Sequence, residues 1–152
     1  MITAIDTNAL MALLYADERT DEIEAVLRRL YREGRLVVTP IVFSERAADG
    51  EFETTASLDQ FLTDLRIQLS EPSREALFLA GERVGRYTSR RPDGLQCPAC
   101  GTKRTVQCDA CGEALSPRQH IAADFLIGGH ATVDAVALVS FDGTFYESYF
   151  QQ

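Results

Sequence analysis

Four short apolar runs, each followed by residues at helical spacing, constrain this chain more than any other feature. Ile2 to Ile5, Leu36 to Val38, Ile67 to Leu69 and Ala135 to Ser140 carry the β-branched, closely spaced apolar residues of buried strands. Strands separated by helices need right-handed crossovers, which predicts an α/β fold with a mainly parallel sheet covered on both faces. At 152 residues the chain has length for one domain with a real core.

The helices are marked locally. Leu10, Leu13 and Leu14 follow the first strand at helical spacing. Thr20 precedes Ile23, Val26, Leu27, Leu30 and Tyr31, with Asp21 and Glu22 in the first turn and Gly34 just past the end. Thr39-Pro40 supplies an N-cap and a first-turn proline for a helix reaching about Ala48. Ser57 and Gln60 read as a capping box ahead of Leu58, Phe61, Leu62 and Leu65. A helix from Ser73 to about Thr88 shows Leu77, Ala80, Val84 and Tyr87 on one face, with Gly81 and Gly85 weakening it or allowing close packing. Ser116-Pro117-Arg118-Gln119 opens the helix that carries Asp124, and the tail from Tyr146 to Gln152 adds a short helix and a weak edge strand.

Net charge is -8, from 23 acids against 15 bases, which argues against non-specific nucleic-acid binding unless a local basic patch exists. Fourteen of the bases are Arg, a bias that fits a GC-rich genome and, with the acidic surface, a salt-adapted source. No stretch approaches the ~18 apolar residues of a membrane span, and the N-terminus lacks a signal-peptide pattern, so the cytosol is the expected location.

Asp6 and Asp142 each directly follow a strand, at the carboxyl edge of the sheet where open α/β folds bind ligands. Glu45 lies six residues after Thr39, and Asp124 eight after Ser116, so both fall early in their helices. Each acid alone is also an ordinary helix cap or solvated charge, and Glu51 or Glu53 could stand in for Glu45. Four carboxylates within ~5 Å of one another would raise each other's pKa unless a cation intervened. Hard Mg2+ or Mn2+ is the natural cation for oxygen ligands with open water positions.

With these acids in place the chain resembles the PIN domain family of metal-dependent ribonucleases, including the VapC-like toxins of toxin-antitoxin pairs. The matching pieces are Ile5-Asp6-Thr7-Asn8-Ala9-Leu10, Ser44-Glu45, Ala122-Ala123-Asp124-Phe125-Leu126-Ile127 and Leu138-Val139-Ser140-Phe141-Asp142-Gly143-Thr144-Phe145-Tyr146, in the family's order. The resemblance implies a three-layer α/β/α PIN-like fold spanning residues 1–152, with a four- or five-stranded sheet. It implies that Asp6, Asp124 and Asp142 hold the metal, that Glu45 binds a second metal or orients the attacking water, and that Asn8 and Ser140 support the acids. Hydrolysis of an RNA phosphodiester by a metal-activated water would be the reaction. A protein partner, either an antitoxin or an RNA-processing factor, and a homodimer are implied as well. The alternative is a non-catalytic RNA-binding or assembly module. Haloacid dehalogenase-like phosphatases and response-regulator receivers match less well. The phosphatases want a second Asp where Asn8 stands, and both want a Lys at a later strand end, whereas Lys103 lies between cysteines.

Cys97-Pro98-Ala99-Cys100-Gly101 and Cys108-Asp109-Ala110-Cys111-Gly112 are two C-x-x-C-G knuckles, the most specific local motif in the chain. Glycine after the second Cys permits the tight turn around a thiolate metal, and four thiolates make a closed, structural Zn2+ shell. Disulfides and a rubredoxin-type iron site are the alternatives. Relatives join these helices by a much shorter connection, so residues 92 to 118 read as a small zinc ribbon inserted into the domain. Without a core of its own, such a segment needs a staple. Around it lie Arg83, Arg86, Arg90, Arg91, Lys103, Arg104 and Arg118, seven of the fifteen bases. They are either solvated surface or a patch for the RNA backbone, in which Arg90, Arg91, Lys103, Arg104 and Arg118 are the contact candidates. His120 reads as a helix-surface histidine or a carboxylate partner, and His130 as a C-terminal charge or a packing residue.

Overall fold

The computed structural model describes residues 1–16, 18–90, 95–97, 99–100, 102–115 and 122–150, leaving out the side chains of Arg90 and Gln96. The chain runs β1 (Ile2–Ile5), α1 (Thr7–Leu14), α2 (Thr20–Glu33), β2 (Arg35–Val38), α3 (Pro40–Ala48), α4 (Thr55–Asp64), β3 (Ile67–Leu69) and α5 (Arg74–Arg90). It continues through β4 (Leu95–Gln96), β5 (Lys103–Arg104), α6 (Ala123–Val133), β6 (Ala137–Val139) and α7 (Gly143–Phe150). The expected mainly parallel sheet has four strands among the described residues, in the order β3-β2-β1-β6, and every neighbouring pair is parallel.

Burial shows why the layers are three. Successive side chains of a strand point to opposite faces, yet Thr3, Ala4 and Ile5 of β1 and Leu36, Val37 and Val38 of β2 are all buried. Both faces of the central strands are therefore covered. β3 is the exception, with Ile67 buried and Gln68 and Leu69 exposed, as suits an edge strand. Among the described residues no helix is long and apolar enough to cross a membrane.

Caps decide several helix starts. Thr39 caps α3 as expected, its Oγ1 accepting from Val42 N at 3.4 Å, with Pro40 in the first turn. The capping box of α4 lies one turn earlier than predicted. Thr54 is the extended N-cap residue and Ser57 its reciprocal partner, while Gln60 Nε2 donates to Asp64 Oδ1 at 2.7 Å. The helix carrying Asp124 starts at Ala123, because Ala122 is extended, so Asp124 is its second residue rather than its eighth. The Ser116 cap and His120 lie outside the described residues. β6 is shorter than the predicted run, and the tail forms α7 without an edge strand among the described residues.

The α5 face also differs from the periodicity reading. Ala76 and Ala80 are buried, with Val84 and Tyr87 packed against the core, while Leu77 is 47% exposed. Close approach explains the choice. A Cβ on Gly129 of α6 would stand 2.5 Å from Ala76 O and 3.1 Å from Ala80 Cβ, so α6 presses on the alanine line of α5. Gly81 and Gly85, the glycines expected to permit close packing, have nothing within 4 Å of such a Cβ. Beside this contact Phe125 is buried among Tyr87, Phe145, Tyr149 and Phe150, with ring centroids 5.1 to 6.0 Å away. That cluster fixes α6 and, through it, the neighbouring Asp124. His130 is wholly buried, so it is a packing residue; burial depresses its pKa, and Nε2 lies 3.3 Å from Ser70 Oγ.

Candidate functional site

β1 ends where α1 begins, and Asp6 stands at that junction with 3% of its surface exposed. A buried carboxylate needs donors, and Asp6 has three. Its Oδ1 accepts from Thr7 N at 2.7 Å; its Oδ2 accepts from Asn8 Nδ2 at 2.9 Å and Ser140 Oγ at 2.6 Å. The helix-cap role and the site role thus coexist in one residue. Because β1 pairs with β6, Ser140 arrives beside Asp6 from the far end of the chain. The triangle closes through Asn8 Nδ2 donating to Ser140 Oγ at 3.1 Å, and Phe141 N donating to Asn8 Oδ1 at 2.9 Å.

The other acids gather at the same sheet edge. Asp142 Oδ1 accepts from Phe145 N at 3.2 Å, capping α7, and Asp142 N donates to Ser140 Oγ at 3.0 Å. Glu45, on the second turn of α3, accepts a short hydrogen bond from Thr7 Oγ1. Asp124, in the first turn of α6, is open to solvent at its tip but backed by the protein. Its pKa is raised, first by desolvation and then by the charges of Asp6, Glu45 and Asp142. Asp6, Glu45 and Asp142 therefore all lie close enough to act on Asp124.

Tyr146 was read from the sequence only as part of the final matching segment, and it is the residue that reading missed. It lies one turn into α7, 9% exposed, and its hydroxyl is buried with no hydrogen-bond partner. Burial, then the charges of Asp6 and Asp124, a hydrogen-bonding contact with Asp6 too poorly aligned to satisfy the hydroxyl, and the charge of Asp142 push its pKa far above the ordinary phenol value. An aromatic residue at helical spacing reads as core, and nothing in the sequence separates ring from hydroxyl.

Among the described residues no three Asp, Glu, His or Cys side chains stand close enough to share one cation. The donors still suit a hard divalent ion, since all four are carboxylates. Three hydrogen bonds leave Asp6 one of its roughly four lone-pair sites, and the Tyr146 hydroxyl is an orphaned polar group facing the same acids.

In the inserted region β4 and β5 pair antiparallel, and Gln107 bridges Ala114. Each knuckle is turned individually. Cys97 N donates to Thr102 O at 2.9 Å, Cys108 N to Glu113 O at 2.8 Å, and Gly112 takes φ +76° as its turn requires. Cys100 Sγ and Thr102 Oγ1 share a 3.2 Å hydrogen bond. All four cysteines are free thiols. The Cys100 pKa is lowered chiefly by Thr102, and that of Cys108 by the backbone N–H groups of Ala110 and Cys111. Lys103 and Arg104 are exposed on β5, Arg83 is half-buried, and Arg86 pairs with Glu82. Arg91, Arg118 and the Arg90 side chain lie outside the described residues. A groove of about 450 Å³, lined by residues that include Leu27, Tyr31, Asp64 and Arg66, contains none of the four acids.

No family model matches the sequence, and no curated protein matches it. The fold is similar to a chain in the crystal structure of VapBC2 from Rickettsia felis bound to a DNA fragment from their promoter. The likeness has a TM-score of 0.61 and 18% sequence identity, and it covers 99% of this chain and 94% of that one. At that identity the likeness is one of fold, and the fold is PIN-like.

Proposed function

We propose that this chain is a metal-dependent endoribonuclease of PIN type, hydrolysing RNA phosphodiester bonds at the edge where Asp6, Glu45, Asp124 and Asp142 meet. The observation that carries the reading is electrostatic: Asp124 is held above its ordinary pKa by desolvation and, after it, by the charges of Asp6, Glu45 and Asp142. Such a cluster is unfavourable without a cation and favourable with one. Asp6, Asp124 and Asp142 would hold Mg2+ or Mn2+, and Glu45 would hold a second ion or orient the attacking water. The bound metal would supply an activated water and offset charge on the phosphate.

The chain's own residues supply the positioning. Asn8 and Ser140 keep Asp6 in one orientation, and Thr7 restrains Glu45. Asp142 is fixed by its bond to the start of α7. Solvent access at Asp124 leaves room for a polyanionic strand, whose backbone needs cations to offset the overall charge of -8. Lys103 and Arg104 are exposed for that role, with Arg90, Arg91 and Arg118 as further candidates.

Residues 92–118 are proposed as a zinc-ribbon insertion, with Cys97, Cys100, Cys108 and Cys111 holding one structural Zn2+. Lowered thiol pKa values and two turned knuckles support it. The protein would work in the cytosol as a toxin-antitoxin toxin or an RNA-processing nuclease. The fold likeness to a chain of VapBC2 favours an antitoxin partner, and a homodimer is the proposed assembly.

One observation favours a second reading, a non-catalytic RNA-binding or assembly module: no three acids stand within reach of one ion among the described residues. Assay of RNA cleavage with added Mn2+ separates the two. Cleavage by the parent chain that is lost in Asp6→Asn, with fold and zinc content intact, supports the nuclease. A pure parent chain that binds RNA and leaves it uncut supports the module.

A further inference from the structure

The acidic edge contains one group that core packing does not require. The Tyr146 ring fills space against Phe145 at 5.2 Å and Phe150 at 6.2 Å, and phenylalanine would fill the same space. Its hydroxyl adds a buried polar atom with no partner, which is a standing cost to the fold. The side chain enters from α7, whose first turn hangs from Asp142: Tyr146 N donates to Asp142 O at 3.3 Å. Its hydroxyl faces Asp6, Asp124 and Asp142. Of these acids Asp6 alone also meets the hydroxyl by hydrogen bonding, and it already accepts from Thr7, Asn8 and Ser140, which leaves one lone-pair site to be shared. A buried hydroxyl directed at an acid cluster, touching Asp6 but without a well-formed hydrogen bond to it, is placed to meet an oxygen that is not the protein's.

We propose that Tyr146 is a positioning residue of the acidic site, its hydroxyl hydrogen-bonding an oxygen of the ligand held among Asp6, Asp124 and Asp142. The proposal rests on the nuclease reading above. That oxygen belongs either to a water of a hydrated divalent cation or to a non-bridging phosphate position; both offer the same hydrogen-bonding chemistry. Tyr146 thereby joins α7 to the reacting centre, so the last helix helps to seat the ligand as well as cover the core.

The test uses the full chain with Tyr146→Phe, which keeps the ring. Calorimetric titration with Mn2+ alone is followed by titration of the Mn2+-loaded protein with inorganic phosphate, and thermal unfolding is measured without either ligand. The expected result is an unliganded Tm equal to the parent's or a few degrees above it, since an unpaired hydroxyl has been removed, together with a tenfold affinity loss of about the size one hydrogen bond gives. Loss in the Mn2+ titration assigns the oxygen to the cation's water; loss confined to the phosphate titration assigns it to phosphate. Affinities within about twofold of the parent's in both titrations overturn the proposal. So does a Tm fall of several degrees, which would give the hydroxyl a structural role in the empty protein. A parent chain that binds Mn2+ while Tyr146→Phe binds it and phosphate equally well removes only the Tyr146 role. A parent chain that binds neither removes the nuclease reading with it.

Discussion

Asn8→Ala removes the amide that ties the start of α1 to the end of β6. Three contacts go: Nδ2 to Asp6 Oδ2 at 2.9 Å, Nδ2 to Ser140 Oγ at 3.1 Å, and Phe141 N to Oδ1 at 2.9 Å. The first is charge-assisted and worth about 1.5–3 kcal/mol, and Phe141 N–H is left in a half-buried place where water replaces the lost acceptor only in part. The expected loss is roughly 2–4 kcal/mol, which for a chain of 152 residues corresponds to a Tm fall of roughly 5–15 °C. Scanning calorimetry in buffer free of Mg2+ and Mn2+ reads it without ligand linkage. Ser140→Ala removes the neighbouring 2.6 Å bond, and because both donors serve Asp6 Oδ2 the double variant is expected to be non-additive by about 0.5–3 kcal/mol. A Tm within about 1 °C of the parent's for Asn8→Ala, or strict additivity of the pair, would refute the idea that one network orients Asp6.

Asp124→Asn tests the electrostatic cluster. The folded pKa of Asp124 lies above the ordinary carboxyl value of 3.8, so the native state holds this proton more tightly than the unfolded chain does, and the ionised side chain costs stability at neutral pH. The variant is therefore expected to be more stable than the parent at pH 7 in metal-free urea titrations, with the advantage shrinking as pH falls through the raised pKa toward 3.8; a constant or inverted difference would contradict the cluster. Gly129→Ala places a Cβ 2.5 Å from Ala76 O and is expected to destabilise by about 1–3 kcal/mol, whereas Gly81→Ala, in an open helix position, is expected to stabilise by about 0.5–1 kcal/mol; urea midpoints check both signs. Cys108→Ser is expected to lower bound zinc from about one ion per chain to near none, read by elemental analysis, and to speed protease cutting within residues 92–118 while the sheet's unfolding midpoint stays put.

The parts of the fold legible in the sequence are those whose signals are local. Ile2 to Ile5 ending on Asp6, and Thr39-Pro40 opening a helix, each announce themselves within a few residues, and the structure keeps both. Choices made by distant packing were not legible. Thr54 and Ser57 are both good capping residues, and only the placement of α4 selects the earlier one. Leu77 outranks Ala76 in hydrophobicity, yet the glycine face of α6 admits only the small side chains of α5. Asp6, Asp124 and Asp142 stand out in the sequence because each abuts a strand end or helix start, whereas Glu45, on the second turn of α3, stands out only by its spacing from Thr39. Tyr146 does not, because its ring satisfies the core pattern and its hydroxyl acquires meaning only once α7 is packed against α5 and α6.

The pairing of β1 with β6 has a consequence for the protein's synthesis. Asp6 leaves the ribosome well before its partners: Ser140, which bonds it, and Asp142, of the same acid group, come 134 and 136 positions later. Until then the early carboxylate has its local donors Thr7 and Asn8 but lacks Ser140, and a chain interrupted before Ser140 can present no assembled acidic edge. Any partner that recognises the finished edge therefore meets it only once Asp142 has been made, while one that grips α1 to α4 can engage the protein before the edge exists.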